Sequence, residues 1–210
     1  MREIDGQMVY TELGEVVDPR HTVLLVIDLQ GDYEKEVGAE RVLENLPPLL
    51  ATARKAGVTI IYTHNIQYPN HACLAPSQLR RMLESGYDPG TGQAYYLDPF
   101  FNQIVAVVAP QESERVIPKT RANAFVGTEL EVILRSSGIQ TLVFTGKATD
   151  QCVSATLWDA MGKDYYTVLV EDCVSSNRAT CHQGVLEQMK NMTDVISGRD
   201  LIRIWDSSGE

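Results

Sequence analysis

Short, continuously apolar runs recur along the chain, separated by helical segments. The strand-length runs are Thr22-Val23-Leu24-Leu25-Val26-Ile27, Val58-Thr59-Ile60-Ile61-Tyr62-Thr63, Thr141-Leu142-Val143-Phe144 and Tyr165-Tyr166-Thr167-Val168-Leu169-Val170. Continuous apolar character, instead of strict alternation, marks strands covered on both faces. Arg115-Val116-Ile117-Pro118 leads to Lys119 as a shorter strand, and Val195-Ile196 closes the series. Between them the pattern predicts a helix from about Val42 to Ala56, stopped by Gly57. Pro47-Pro48 must then lie in its first turn or break it. Thr128 caps a helix from Glu129 to Ser136 that ends before Gly138, and Cys152 opens a helix that runs to near Gly162. Ala179 to Lys190 is the last long helix. Strands alternating with helices predict an α/β fold, a three-layer α/β/α sandwich around a central, mostly parallel sheet.

The exception is residues 65–101, which hold no clear element beyond a short helix from Ser77 to Glu84. Pro69, Pro76, Gly86, Pro89, Gly90, Gly92, Tyr87, Tyr95 and Tyr96 crowd this stretch. A long irregular insert in a compact domain is either a lid over a binding site or a mobile surface loop. The 210 residues suit one domain over 1–210.

Charge and cysteine usage narrow the function. The net charge of -10, from 18 basic and 28 acidic residues, argues against nucleic acid or an anionic membrane as partner. The N-terminus lacks an apolar signal region and the apolar runs are too short to span a membrane, so a cytoplasmic protein is expected. Cys73, Cys152, Cys173 and Cys181 form no C-x-x-C pair and are expected to be free thiols.

Candidate chemistry sits where strands end. Phe144-Thr145-Gly146-Lys147-Ala148-Thr149-Asp150-Gln151-Cys152-Val153 is a strand, a tight turn and a helix start that delivers a cysteine. A helix N-terminus would lower the thiol pKa and offer N–H groups to an oxyanion. A buried structural cysteine is the competing interpretation. Asp28 and Lys119 also follow strands, and ligands in open α/β sheets bind at the carboxyl ends of strands. Asp28 can act as general base to the thiol, and Lys119 can stabilise the charges on both. Singly, Asp28 is also a plausible turn residue and Lys119 a plausible surface lysine.

The same residues carry a family resemblance. Asp28-Leu29-Gln30-Gly31-Asp32-Tyr33, Lys119-Thr120-Arg121-Ala122-Asn123-Ala124-Phe125, Thr145 to Val153 and Glu171-Asp172 match, in order, motifs of the isochorismatase-like cysteine hydrolases. The resemblance runs from about Thr22 to Ile204 and implies a Rossmann-like fold with a catalytic triad of Asp28, Lys119 and Cys152. It also implies a non-proline cis peptide at Lys147-Ala148, with the Gln151 and Cys152 N–H groups as oxyanion hole, and a dimer or tetramer. The cysteine distinguishes the chain from isochorismatases proper. Nicotinamidases carry metal ligands where this chain has Asn65 and Gln67; His64 and His71 have the wrong spacing, so neither metal nor organic cofactor is expected.

The implied reaction is cleavage of a C–N bond in a small linear amide or ureide through a thioester. Nicotinamidase-like or isochorismatase-like hydrolysis, a silent binding member and a thiol redox sensor are the alternatives. Tyr33, Asn65, Gln67 and Phe125 are expected to line the pocket, with Lys147 either pairing with a substrate carboxylate or pointing to solvent. Arg121 is expected to brace Asp32, and Trp158 to lie in the core or an interface. Cys181 and His182 are expected to be structural.

Overall fold

The computed structural model describes residues 1–89, 92 and 96–207. Gly90 and Tyr95, named in the insert above, lie outside the described residues. Strands β1 (Arg2–Ile4) and β2 (Gln7–Val9) form a separate antiparallel hairpin. The main sheet contains β3 (Thr22–Ile27), β4 (Thr59–Asn65), β5 (Arg115–Lys119), β6 (Thr141–Lys147), β7 (Tyr166–Ser175) and β8 (Asp194–Ile196). Its order is β5-β4-β3-β6-β7-β8, and every neighbouring pair is parallel.

The apolar runs divide their side chains between two cores because successive strand residues face opposite ways. Leu24, Val26, Tyr62, Val143, Val168 and Val170 pack under the helices Ala39–Ala56 and Gly198–Ser207. Val23, Leu25, Ile27, Leu142, Phe144 and Leu169 pack under Leu130–Ser136, Ser154–Gly162 and Ala179–Met189 on the other face. This is the expected three-layer sandwich. From β3 the chain builds outward through β4 to β5, then returns to lay β6 on the other side of β3. That reversal is a topological switch point, where an open α/β sheet leaves a crevice at its carboxyl edge.

Pro47 and Pro48 neither start nor break their helix; they lie inside Ala39–Ala56. Each proline removes a backbone bond at a cost of about 3 kcal/mol or more. Val42, Leu46, Leu49 and Leu50 are buried along one stripe. Each large aliphatic buried contributes roughly 1.5–3 kcal/mol, so the stripe holds the helix together. Strand β7 also departs from expectation, running on through Glu171-Asp172 to Ser175 across a register shift opposite Phe144 and Gly146. The first hairpin, which the sequence reading did not include, turns at Asp5-Gly6, whose positive φ values of 50° and 82° suit a two-residue turn. The last helix is anchored by buried Leu201 and Trp205, whose Nε1–H donates to the Val17 carbonyl at 2.8 Å.

Gly146 is where β6 must approach β3 most closely. Its φ is +110°, and a Cβ there would lie 2.1 Å from the Ile27 carbonyl oxygen. A Gly146→Ala variant is expected to lose about 2–4 kcal/mol of stability, from core-strand displacement plus a forbidden φ. Urea denaturation checks this: the midpoint should fall, and an unchanged midpoint would contradict the packing.

Candidate active site

The turn after β3, the end of β5 and the turn after β6 meet at the switch point. Asp28 has a positive φ of 53°, a conformation uncommon for a residue with a Cβ. The surrounding structure holds it there. Its N–H donates to the Thr63 carbonyl at 3.1 Å, and its Oδ1 accepts from Thr63 Oγ1 at 2.7 Å. Lys119 leaves β5, in register with Asn65 of β4, and extends to Asp28. Its Nζ lies 2.6 Å from Asp28 Oδ2, 3.0 Å from the Arg121 carbonyl oxygen and 3.4 Å from Cys152 Sγ. Those contacts use all three ammonium protons. Lys119 and Asp28 are almost wholly buried, at 2% and 3% exposure.

Burial alone would depress the Lys119 pKa, but the charges of Asp28 and Cys152 outweigh it and the pKa is raised. For Cys152, burial and then the Asp28 charge push the thiol up to about 12, against the opposing effect of Lys119. This overturns the expectation of a lowered thiol pKa. Cys152 does not stand at the start of an α-helix: residues Thr149–Val153 form a π-helical turn, and the α-helix begins only at Ser154. Burial and the Asp28 charge hold the thiol protonated in this turn.

Asp28 and Cys152 open onto a cavity of about 280 Å³. Asn65, Lys147, Ala148 and Gln151 line it. The peptide bond between Lys147 and Ala148 is cis. The Gln151 N–H, expected in the oxyanion hole, instead donates to the Ala148 carbonyl at 2.9 Å within the turn. Lys147 neither points to solvent nor lacks a counter-charge: it pairs with Glu36 and lies 5.6 Å from the Tyr33 ring centroid. Asn177 Nδ2 donates to the other Glu36 oxygen at 3.1 Å.

Three expected wall residues lie elsewhere. Tyr33 is buried below the cavity wall with its hydroxyl 2.7 Å from Ser175 Oγ, because the extended β7 brings Ser175 within reach. Phe125 stacks on Tyr165 beneath Lys163, inside the second core. Gln67 lies past the end of β4 and outside the cavity lining. Arg121 does not brace Asp32; its Nη1 donates to the Cys73 carbonyl at 2.6 Å and the Thr120 carbonyl at 2.9 Å, tying the insert to β5. Trp158 is 39% exposed, so it is not a core residue. His182 is buried, whereas Cys181 is exposed.

Four wall residues escaped the sequence reading: Gln30, Glu36, Tyr96 and Phe101. Gln30 is a clamp. Its Nε2 donates to the Asn65 and Phe101 carbonyls at 2.9 and 2.8 Å, and its Oε1 accepts from the Asn65 N–H at 2.6 Å. The insert is thereby fastened over the site, with the Tyr96 and Phe101 rings edge to face at 4.8 Å. Gln30 was visible as the third residue of the Asp28 motif. His64, in β4, contacts the Asn102 carbonyl at 3.2 Å, and His71, in the insert, contacts the Tyr87 hydroxyl at 3.0 Å. Among the described residues no group of three or more His, Cys, Asp or Glu side chains is arranged to hold a metal.

The model of the isochorismatase domain matches residues 22–200, and the chain belongs to that family. It is 34% identical over 177 residues to the ureidoacrylate amidohydrolase RutB of Klebsiella pneumoniae, covering 73% of each protein. It is 32% identical over 189 residues to the enzyme of that name from Rhizobium rhizogenes, covering 79% of this chain and 72% of that one. Among solved structures, a cysteine hydrolase from Pseudomonas syringae superposes with a TM-score of 0.82 at 19% identity, over 92% of this chain and 96% of that one. N-carbamoylsarcosine amidase from Thermoplasma acidophilum superposes with a TM-score of 0.69 at 21% identity, over 84% and 96%. Those two likenesses are of fold.

Because Asp28 raises the Cys152 pKa, removing its charge should lower it. Peptide-resolved iodoacetamide labelling tests the sign. Cys152 should label slowly at pH 8 and faster as pH rises, and Asp28→Asn should accelerate labelling at pH 8. Equal or slower labelling in the variant would show that Asp28 does not hold the thiol protonated.

Proposed function

We propose that the chain is a cysteine-dependent amidohydrolase that cleaves a C–N bond of a small linear amide or ureide, with Cys152 as nucleophile, Asp28 as acid–base and Lys119 as fixed cation. One observation carries the reading: a buried ammonium touches both a carboxylate and a thiol that line a cavity. The family membership and the ureidoacrylate amidohydrolase relatives support the same reaction class.

In this mechanism Asp28 takes the Cys152 proton as Sγ attacks the carbonyl carbon, so no free thiolate accumulates beforehand. The new C–S bond leaves a negative oxygen. The Cys152 N–H and the Ala148 N–H are the backbone donors assigned to it, since the Gln151 N–H is already spent. Collapse breaks the C–N bond, and the leaving nitrogen takes the proton from Asp28 as ammonia or an amine. Asp28 next deprotonates water, which attacks the thioester; the acid leaves and Sγ regains its proton. Lys119 keeps Asp28 oriented and balances its charge through both halves.

The far wall matches a ureido group. Lys147 offers a donor and Glu36 an acceptor side by side, while a ureide presents a carbonyl and N–H groups. Glu36 already balances Lys147, so the site does not require a substrate carboxylate. The reading includes a cytoplasmic homo-oligomer, dimer or tetramer, and Trp158 is one of several exposed apolar side chains available to such a contact. Among the described residues no helix is long and apolar enough to cross a membrane.

The test is ammonia release from a panel of ureido acids, carbamoyl amino acids and simple carboxamides. Cys152→Ala should abolish turnover. Lys119→Met should lower kcat by roughly 10³-fold or more, as expected for a member of a catalytic unit. Mass spectrometry of rapidly quenched enzyme should find the acyl group on the peptide carrying Cys152. Turnover surviving in Cys152→Ala would overturn the mechanism.

A further inference from the structure

The π-helical turn that carries Cys152 begins at Thr149, which is fully buried and does not line the cavity. Its Oγ1 lies 2.9 Å from Nδ1 of His182, a buried residue of the helix Ala179–Met189. The other ring nitrogen, Nε2, lies 3.3 Å from Arg41 Nη2. A guanidinium is always protonated and only donates. Nε2 must therefore accept, which places the single proton of a neutral ring on Nδ1, aimed at Thr149. Arg41 is itself fixed, since the same Nη2 donates to the Val174 carbonyl at 3.1 Å. A chain of contacts thus runs from the helix Ala39–Ala56, through His182, to the first residue of the nucleophile turn.

We propose that His182 is a positioning residue that locks the nucleophile turn through its neutral Nδ1–H tautomer and releases it on protonation. The proposal rests on the reading that Cys152 is the nucleophile. Two charged groups face the ring: Arg41 from one helix, and Asp150 from the turn itself, whose Oδ2 is held by Arg178 Nε at 2.7 Å. Burial and then Arg41 disfavour the imidazolium, Asp150 opposes them in part, and the net direction is a lowered pKa. His182 is accordingly neutral at pH 7 and gains its charge on the acid side. A proton on Nε2 removes the acceptor for Arg41 and sets two cations against each other. The ring must then withdraw from Arg41, and the Thr149 contact goes with it.

The test uses the whole chain and has one readout that needs no substrate. Hydrogen exchange of the peptide spanning residues 149–153, corrected for intrinsic rates, should show protection falling by about fivefold or more between pH 7 and pH 5. His182→Gln supplies an acceptor for Arg41 and a donor for Thr149 without a titrating group, so it should keep its protection over that range. His182→Phe should lack the protection at both pH values. In turnover, the acid limb of kcat should flatten in His182→Gln while KM stays unchanged. Nitrogen-15 NMR at pH 7 should place the His182 proton on Nδ1. A proton on Nε2, or the same exchange profile in wild type and His182→Gln, would overturn the latch. If exchange and NMR behave as expected while no amide is turned over at any pH, the latch stands and the proposed reaction falls.

Discussion

The ammonium of Lys119 is the interaction on which the site depends. It is a charge taken almost wholly out of water, and its three protons are spent on Asp28, the Arg121 carbonyl and Cys152. Removing one partner from a buried ion pair leaves the other uncompensated, at a cost of about 3–5 kcal/mol. Asp28, Lys119 and Cys152 therefore hold their places jointly. The bond to the Arg121 carbonyl adds a second consequence. Arg121 also reaches the Cys73 carbonyl, so the cation is linked through one backbone segment to the insert that covers the cavity.

The sheet makes that convergence possible. At the switch point between β3 and β6 the two strands diverge into separate turns, which opens a crevice between Asp28 and Cys152. Lys119 belongs to an edge strand two positions away, and only a long flexible side chain can reach across β4. Gly146 lets β6 come up against Ile27, and Gln30 ties the top of β3 to the end of β4 and to the insert. A chemical site has thus been placed where three connections are short and one side chain is long.

Continuous apolar runs made the parallel sheet legible, because such runs arise only where both faces are covered. The meeting of Asp28, Lys119 and Cys152 was legible for a related reason, since Asp28 follows β3, Lys119 ends β5 and Cys152 lies in the turn after β6. Pocket walls were less so. Tyr33 and Phe125 lie in the right motifs, but whether an aromatic ring faces a cavity or a core depends on its rotamer and on neighbours remote in sequence. Ser175 draws Tyr33 away, and that neighbour was invisible because β7 was expected to end before Asp172. The prolines of the long helix misled for an energetic reason: local propensity was outweighed by a buried stripe that only the tertiary structure supplies. The Cys152 pKa reversed direction for the same kind of reason. Helix-end electrostatics is a local property, whereas burial and the Asp28 charge are properties of the assembled fold.

That reversal has a chemical logic. A thiol of low pKa is ionised in advance, but its thiolate is intrinsically a weaker nucleophile and is exposed to oxidants. A thiol held protonated beside its own base is inert towards both, and becomes a strong nucleophile only as the proton leaves. The fixed charges suit that sequence: Asp28 opposes a resting thiolate, yet once protonated it no longer does, while Lys119 remains to stabilise the sulfur. In the proposed mechanism attack and deprotonation are coupled, so a carbonyl carbon seated against Sγ draws out the nucleophile. Tyr96 and Phe101 of the insert, the latter held by Gln30, form walls of the cavity into which such a carbonyl must fit. In the proposed mechanism selectivity follows from withholding the nucleophile: burial and Asp28 keep the thiol protonated, and Lys119 stabilises the sulfur as its proton leaves.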